Sequence, residues 1–202
     1  MSEMISIDTG NGFQTATKIT KFEPYKLVSE DDDVLKLVAP KYDFDAETGH
    51  KELAERLIET IKVHRAFGLA APQCGISKRV FVIGAEDEYI PMFNPEILSS
   101  SVENTHMEEG CLSFPFMFIS ITRPKEIFVK YQNERGERKE LKLQGISAKV
   151  FQHELDHLNG ITFQNRAKPL ALKMANKRRE KQIKKFAKEL LNSGMINLGE
   201  KG

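Results

Sequence analysis

The chain has 202 residues, 40% of them hydrophobic and 29% charged, which fits one globular domain with its own core and excludes a disordered chain. No apolar run approaches the roughly 18 residues of a membrane span, and residues 1–11 lack the charged-then-apolar pattern of a secretory signal, so a cytoplasmic protein is expected. The net charge is only +1, and two cysteines, Cys74 and Cys111, are too few for a disulfide scaffold.

The first element with clear periodicity is a helix over 50–66, with Leu53, Leu57, Ile58 and Ile61 near one face. Gly68 and Pro72 punctuate the chain after it. Residues 79–83 read as a strand rich in Val, Phe and Ile, and Asn94-Pro95 reads as a turn. Further strands are predicted over 102–107, 119–122, 127–131 and 139–143, the last two joined by a hairpin turn at 133–136. A second helix is predicted from an N-cap at Ser147 to just before Gly160, a good residue for the position after a helix end. A third runs over 169–191, opened by Pro169 and closed by Ser193-Gly194. Strands with hairpin spacing set among helices predict an α+β fold with antiparallel sheets, in one domain spanning 1–202.

The second helix carries the chemistry. It contains His153-Glu154-Leu155-Asp156-His157, and histidines four apart share a helical face, so both can reach one ion. At about 100° per residue, Glu154 falls within the apolar arc of Val150, Phe151, Leu155 and Leu158. A carboxylate is costly to desolvate there, but beside a metal it can take a proton from water and pass it to a leaving group. A catalytic site of this kind needs three protein ligands and an open position. Cys111 follows Gly110, which permits an unusual turn, and is a candidate third ligand; a buried small hydrophobe is the alternative. Asp156 points away from His157 and reads as a surface or supporting residue, and Cys74 reads as packing.

Three stretches occur together: Phe67-Gly68-Leu69-Ala70-Ala71-Pro72-Gln73, Glu109-Gly110-Cys111-Leu112-Ser113, and Gln152-His153-Glu154-Leu155-Asp156-His157-Leu158-Asn159-Gly160. Their order and spacing resemble peptide deformylase, over roughly residues 31–163. The resemblance implies that Cys111, His153 and His157 bind a metal, Fe(2+) in the cell, with Ni(2+), Co(2+) or Zn(2+) able to replace it. It implies Glu154 as general acid/base, with the Leu112 backbone N–H and the Gln73 amide stabilising the oxyanion. The reaction implied is removal of the formyl group from N-formylmethionyl nascent peptides, releasing formate. Phe67, Gly68, Met107, Gly110, Ile146 and Val150 match substrate-contacting positions, and Glu109 and Arg123 match a buried ion pair that supports the Cys111 loop.

Two positions depart from the family pattern. Ala66 stands where Gly is usual, and Phe118 where many relatives carry Arg. The run Phe114-Pro115-Phe116-Met117-Phe118 therefore either favours apolar side chains beyond the methionine or simply packs. Residues 166–192 hold ten Lys/Arg and two acids, leaving an acidic body and a basic C-terminal helix. That helix is either a solvated face docked on the body, a ribosome-binding element as the resemblance implies, or a membrane-surface helix. Two other functions compete: a zincin-type metallo-endopeptidase, with Glu180 as a downstream third ligand, and a non-catalytic ribosome- or RNA-binding protein with a structural metal.

Overall fold

The computed structural model describes residues 22–85 and 88–193. Residues 1–11 and Gly194, read above for a signal and a helix end, lie outside them. In chain order the elements are α1 (His50–His64), β1 (Gly68–Ala70), β2 (Val80–Ala85), β3 (Glu88–Ser100), β4 (Asn104–Cys111), β5 (Phe114–Pro124), β6 (Glu126–Gln132), β7 (Arg138–Gln144), α2 (Gly145–Leu158) and α3 (Pro169–Asn192). All pairings between strands are antiparallel, in one sheet ordered β1-β2-β3-β6-β7 and a separate β4-β5 hairpin. Among the described residues no helix is long and apolar enough to cross a membrane.

The five-stranded sheet is covered on both faces, and β2 shows why its sequence is apolar without alternation. Val80 and Val82 pack with Leu57, Ile61 and Phe93 on the α1 side. Phe81 and Ile83 pack with Ala148, Phe151 and Leu158 on the α2 side. A strand buried on both faces needs an apolar residue at every position. Phe81 and Phe151 meet edge to face at 5.1 Å, fixing α2 against the sheet. The other side of α2 faces the β4–β5 hairpin. A third cluster, with Phe114, Met117, Ile119, Ile121, Phe163 and Ala175, joins β5 to α3.

Several boundaries differ from the sequence reading, each for a local reason. α1 stops at His64 because Arg65 turns left-handed (φ 51°) and donates back to Ile61 and Lys62. α2 starts at Gly145, not after Ser147: Gly145 has φ 59°, which takes the chain from β7 straight into the helix. Its end is as predicted, with Gly160 at φ 68°. Asn94-Pro95 is not a turn between elements but a kink inside β3, where the β3–β6 register shifts between Phe93 and Glu96. Asn94 holds a left-handed φ of 49°, and its amide binds Tyr42 N–H (2.8 Å), Tyr42 C=O (2.9 Å) and Gln132 (2.8 Å). The basic helix begins at Pro169; Arg166 belongs to the preceding 3-10 turn, Phe163–Arg166.

Candidate active site

The cleft between α2 and the β4–β5 hairpin gathers all three sequence motifs. His153 and His157 face the same way from α2, ring centres 5.1 Å apart. Cys111 ends β4, where the hairpin register slips after Gly110, and its Sγ lies 3.2 Å from His157 Nε2. One ligand atom from each of Cys111, His153 and His157 lies within 4.8 Å of the others, a soft and borderline donor set suited to a transition-metal dication.

The electrostatics fit such an ion. Burial, helped by the neighbouring His153 and Arg123, pushes the His157 pKa well down, so its imidazole stays neutral with a lone pair to offer. Burial alone would also lower His153, but hydrogen bonds to Cys111 and Glu109 outweigh it and raise the pKa to about 10. That position therefore favours positive charge. His153 Nδ1 lies 2.9 Å from Glu109 Oε2, which orients the ring and leaves Nε2 for the cluster. His157 Nδ1 is buried without a hydrogen-bond partner.

Behind the cluster runs a chain of charges. Glu109 (3% exposed) accepts from Arg123 Nε at 2.6 Å and Nη2 at 3.0 Å, a bidentate pair. Arg123 Nη1 donates to Asp156 at 2.8 Å, and Asp156 also accepts from Arg166 at 2.6 and 3.1 Å. Burial works to raise the Glu109 pKa, yet bonds from His153 and Arg123 hold it at about 2.

Glu154 differs sharply from Glu109. It is buried between Gly68 and Val150, and burial pushes its pKa up to about 7, near the value a proton carrier needs. Its Oε2 has no hydrogen-bond partner. A Cβ on Gly68 would lie 2.7 Å from Val150 Cγ1 and 2.8 Å from Glu154 Cδ, so only glycine leaves room for the carboxylate. Gln73 sits in the 3-10 turn Ala71–Cys74. Its Oε1 accepts from Ala70 N–H at 2.8 Å, which turns Nε2 towards Ser113 Oγ (3.1 Å) and Cys111 Sγ (3.4 Å).

A family model described as polypeptide deformylase matches residues 24–173. The chain belongs to that family. It is 49% identical over 128 residues to the peptide deformylase of Thermotoga neapolitana, covering 63% of this chain and 78% of that protein. The Natranaerobius thermophilus peptide deformylase is 41% identical over 143 residues, covering 70% and 91%. The crystal structure of the Thermotoga maritima peptide deformylase superposes with a TM-score of 0.69 at 45% identity, covering 73% of this chain and 99% of that one. A Met-Ala-Ser-bound structure of a class I type b peptide deformylase from Acinetobacter baumannii gives 0.67 at 35%, covering 71% and 98%. The enzyme is thus a hydrolase that removes the formyl group from nascent peptides, a family activity that implies a metal ion. Nothing favours the zincin alternative: Glu180 lies exposed on α3, away from the Cys111-His153-His157 cluster.

A cleft of about 540 Å³ opens onto these residues. Phe67, Gly68, Gln73, Gly110, Cys111, Leu112, Val150, His153 and Glu154 line it, as do all five residues of the Phe114–Phe118 run. Met107 and Ile146 do not line this cleft, and Ile146 is 56% exposed in the first turn of α2. Asp156 is buried and paired with Arg123 and Arg166, so the surface half of its reading is corrected. Cys74 packs beside the α1 cluster. Sequence reasoning missed Ser113 as a partner of Gln73 and Arg166 as a partner of Asp156. Ser113 was inside a recognised motif, but nothing local signals Arg166.

Proposed function

We propose that Cys111, His153 and His157 hold Fe(2+), with Ni(2+), Co(2+) or Zn(2+) as possible substitutes, and that Glu154 is the proton carrier for hydrolysis of the formyl amide. A dication so held supplies Lewis acidity, lowering the pKa of water and polarising the formyl oxygen. The single observation carrying the assignment of Glu154 is its burial against Gly68 with a pKa near 7, beside the metal-ligand cluster. Glu154 takes a proton from the attacking water as the C–O bond forms. It returns that proton to the methionine nitrogen as the C–N bond breaks, giving formate and a free amino terminus. The Gln73 Nε2–H and the Leu112 N–H are the donors for the developing oxyanion; Gln73 is suited to it because Ala70 holds its amide in one orientation.

Phe67, Gly68, Met107, Gly110, Ile146 and Val150 are proposed to contact the formylmethionine and the following backbone. Glu109 and Arg123 brace the site. The Acinetobacter baumannii relative that binds Met-Ala-Ser supports a tripeptide-sized substrate. The whole chain, 1–202, is proposed to act as one cytoplasmic catalytic domain. Residues 166–192, strongly basic, would dock on the ribosome, where about five to eight phosphate contacts would make binding steeply salt-dependent.

The test is formate release from formyl-Met-Ala-Ser by anaerobically purified protein, beside Glu154→Gln and Cys111→Ala. The expected outcome is a loss of about 10²–10⁴ in kcat for Glu154→Gln with metal retained, and loss of metal for Cys111→Ala. Turnover by Glu154→Gln at the parent rate would end the proton-carrier reading. Metal retention by Cys111→Ala would end the ligand assignment.

A further inference from the structure

The Phe114–Phe118 run is an unusual piece of β5. In the hairpin, Cys111 pairs with Phe114 while its neighbour Gly110 pairs with Phe118, so residues 115–117 bulge out without partners on β4. Phe116 in the middle has a left-handed φ of 64°, a strained conformation for an aromatic residue. The bulge nevertheless forms one wall of the cleft, and the Phe118 ring lies against Gly110, where a Cβ would stand 2.8 Å from Cε1. Pairing within the hairpin does not account for this shape, so another element must hold it.

That element is α3. Arg179 Nε donates to the Pro115 carbonyl at 3.0 Å, and Arg178 Nη2 donates to the Phe118 carbonyl at 3.0 Å. The two arginines thus grip the bulge at both ends. Arg179 is itself fixed by an ion pair with Glu30. Phe186, two turns further along, packs its ring 5.4 Å from that of Phe116. Ala175 is buried beneath the same segment, small enough to let the helix approach.

We propose that α3 is a substrate-affinity element: Arg178 and Arg179 are positioning residues that hold the Pro115–Phe118 bulge as the cleft wall for peptide beyond the formylmethionine. They act through Phe116 and Phe118, and neither touches the reacting atoms. It follows that these two guanidinium groups are committed to the body of the enzyme. The inference rests on the cleft being the peptide site.

The test compares formylmethionine amide, which ends before the wall, with formyl-Met-Leu-Phe, which extends along it, using metal-loaded full-length enzyme. Each charge-assisted bond is a moderate contribution, so Arg178→Met with Arg179→Met should raise KM for the tripeptide about five- to tenfold, with kcat within about twofold. KM for formylmethionine amide should stay unchanged. Arg178→Lys, which keeps one donor, should recover most of the affinity lost in Arg178→Met. Phe186→Ala gives an independent variant if the double substitution fails to fold, with the same KM pattern expected. A purely structural role would instead lower the active fraction and affect both substrates alike, and that result overturns the proposal. So does an unchanged tripeptide KM in the double variant. Phe118→Ala separates the two levels: if it leaves the tripeptide KM unaltered, the cleft is not the peptide site, and the assignment of the wall fails with it.

Discussion

Replacing Gly68 by alanine tests the placement of Glu154 more directly than replacing Glu154 itself. Gly68 pairs with Ile83 in β1 and has no left-handed φ, so the backbone accepts alanine without strain. The added methyl meets Glu154 Oε1 first, and would stand 2.8 Å from Cδ and 2.7 Å from Val150 Cγ1. Ordinary contact begins at 3.4 Å, so the carboxyl carbon must retreat by about 0.6 Å and Oε1 by more. A misplacement approaching 1 Å can cost about a hundredfold in rate, so kcat should fall about 10- to 100-fold. Overpacking adds a stability cost of about 1–3 kcal/mol, read as a drop of about 2–4 °C in Tm per kcal/mol for a chain of this size. The assay is formate release at saturating formyl-Met-Ala-Ser, with bound metal quantified in the same sample. Parent kcat with metal retained would refute the reasoning, since it would mean that the carboxylate can move without chemical consequence.

Two further predictions follow from the buried groups around the site. Arg123→Met leaves Glu109 and Asp156 buried without their shared cation, which should cost about 3–5 kcal/mol in denaturant unfolding. Metal affinity should fall about 10- to 100-fold as Glu109 loses its anchor behind His153; a variant of parental stability would contradict the ion-pair account. Burial pushes the Cys74 thiol up to about 12. The unfolded thiol ionises from about 8.5, so between these values the native state holds the extra proton and this group's contribution lowers stability as pH rises. Iodoacetamide at pH 8 should therefore modify Cys74 only on unfolding, and rapid labelling of the folded enzyme, located by mass spectrometry, would contradict it.

The helix carrying His153 and His157 was legible because its pattern is local. A spacing of four puts His153 and His157 on one face of any helix, and the apolar neighbours of Glu154 declare its burial. The network behind it was legible only in part. Glu109 and Arg123 came from family likeness, while Asp156 looked like a surface residue because its partners, Arg123 and Arg166, lie 33 and 10 residues away. The kink at Asn94 was misread for a related reason. Asn-Pro breaks regular backbone whether it ends a strand or bends one, and the distinction lies in the bonds from Asn94 to Tyr42 and Gln132.

The sequence by itself determined the helix positions, the antiparallel character, the paired histidines on one helical face and the basic C-terminal helix, because periodicity, turn residues and motif spacing act over a few residues; Cys111 as their partner came from family likeness. Tertiary structure decided where the basic helix lies and what the aromatic run does. α3 docks on β5 through Arg178, Arg179 and Phe186, and converts an unpaired bulge into one wall of the cleft. It also decided that Glu154 and Glu109, the same residue type, titrate near 7 and near 2. One carboxylate is desolvated against a glycine and the other is held by Arg123 and His153, and those neighbours meet only when distant segments of the chain pack together.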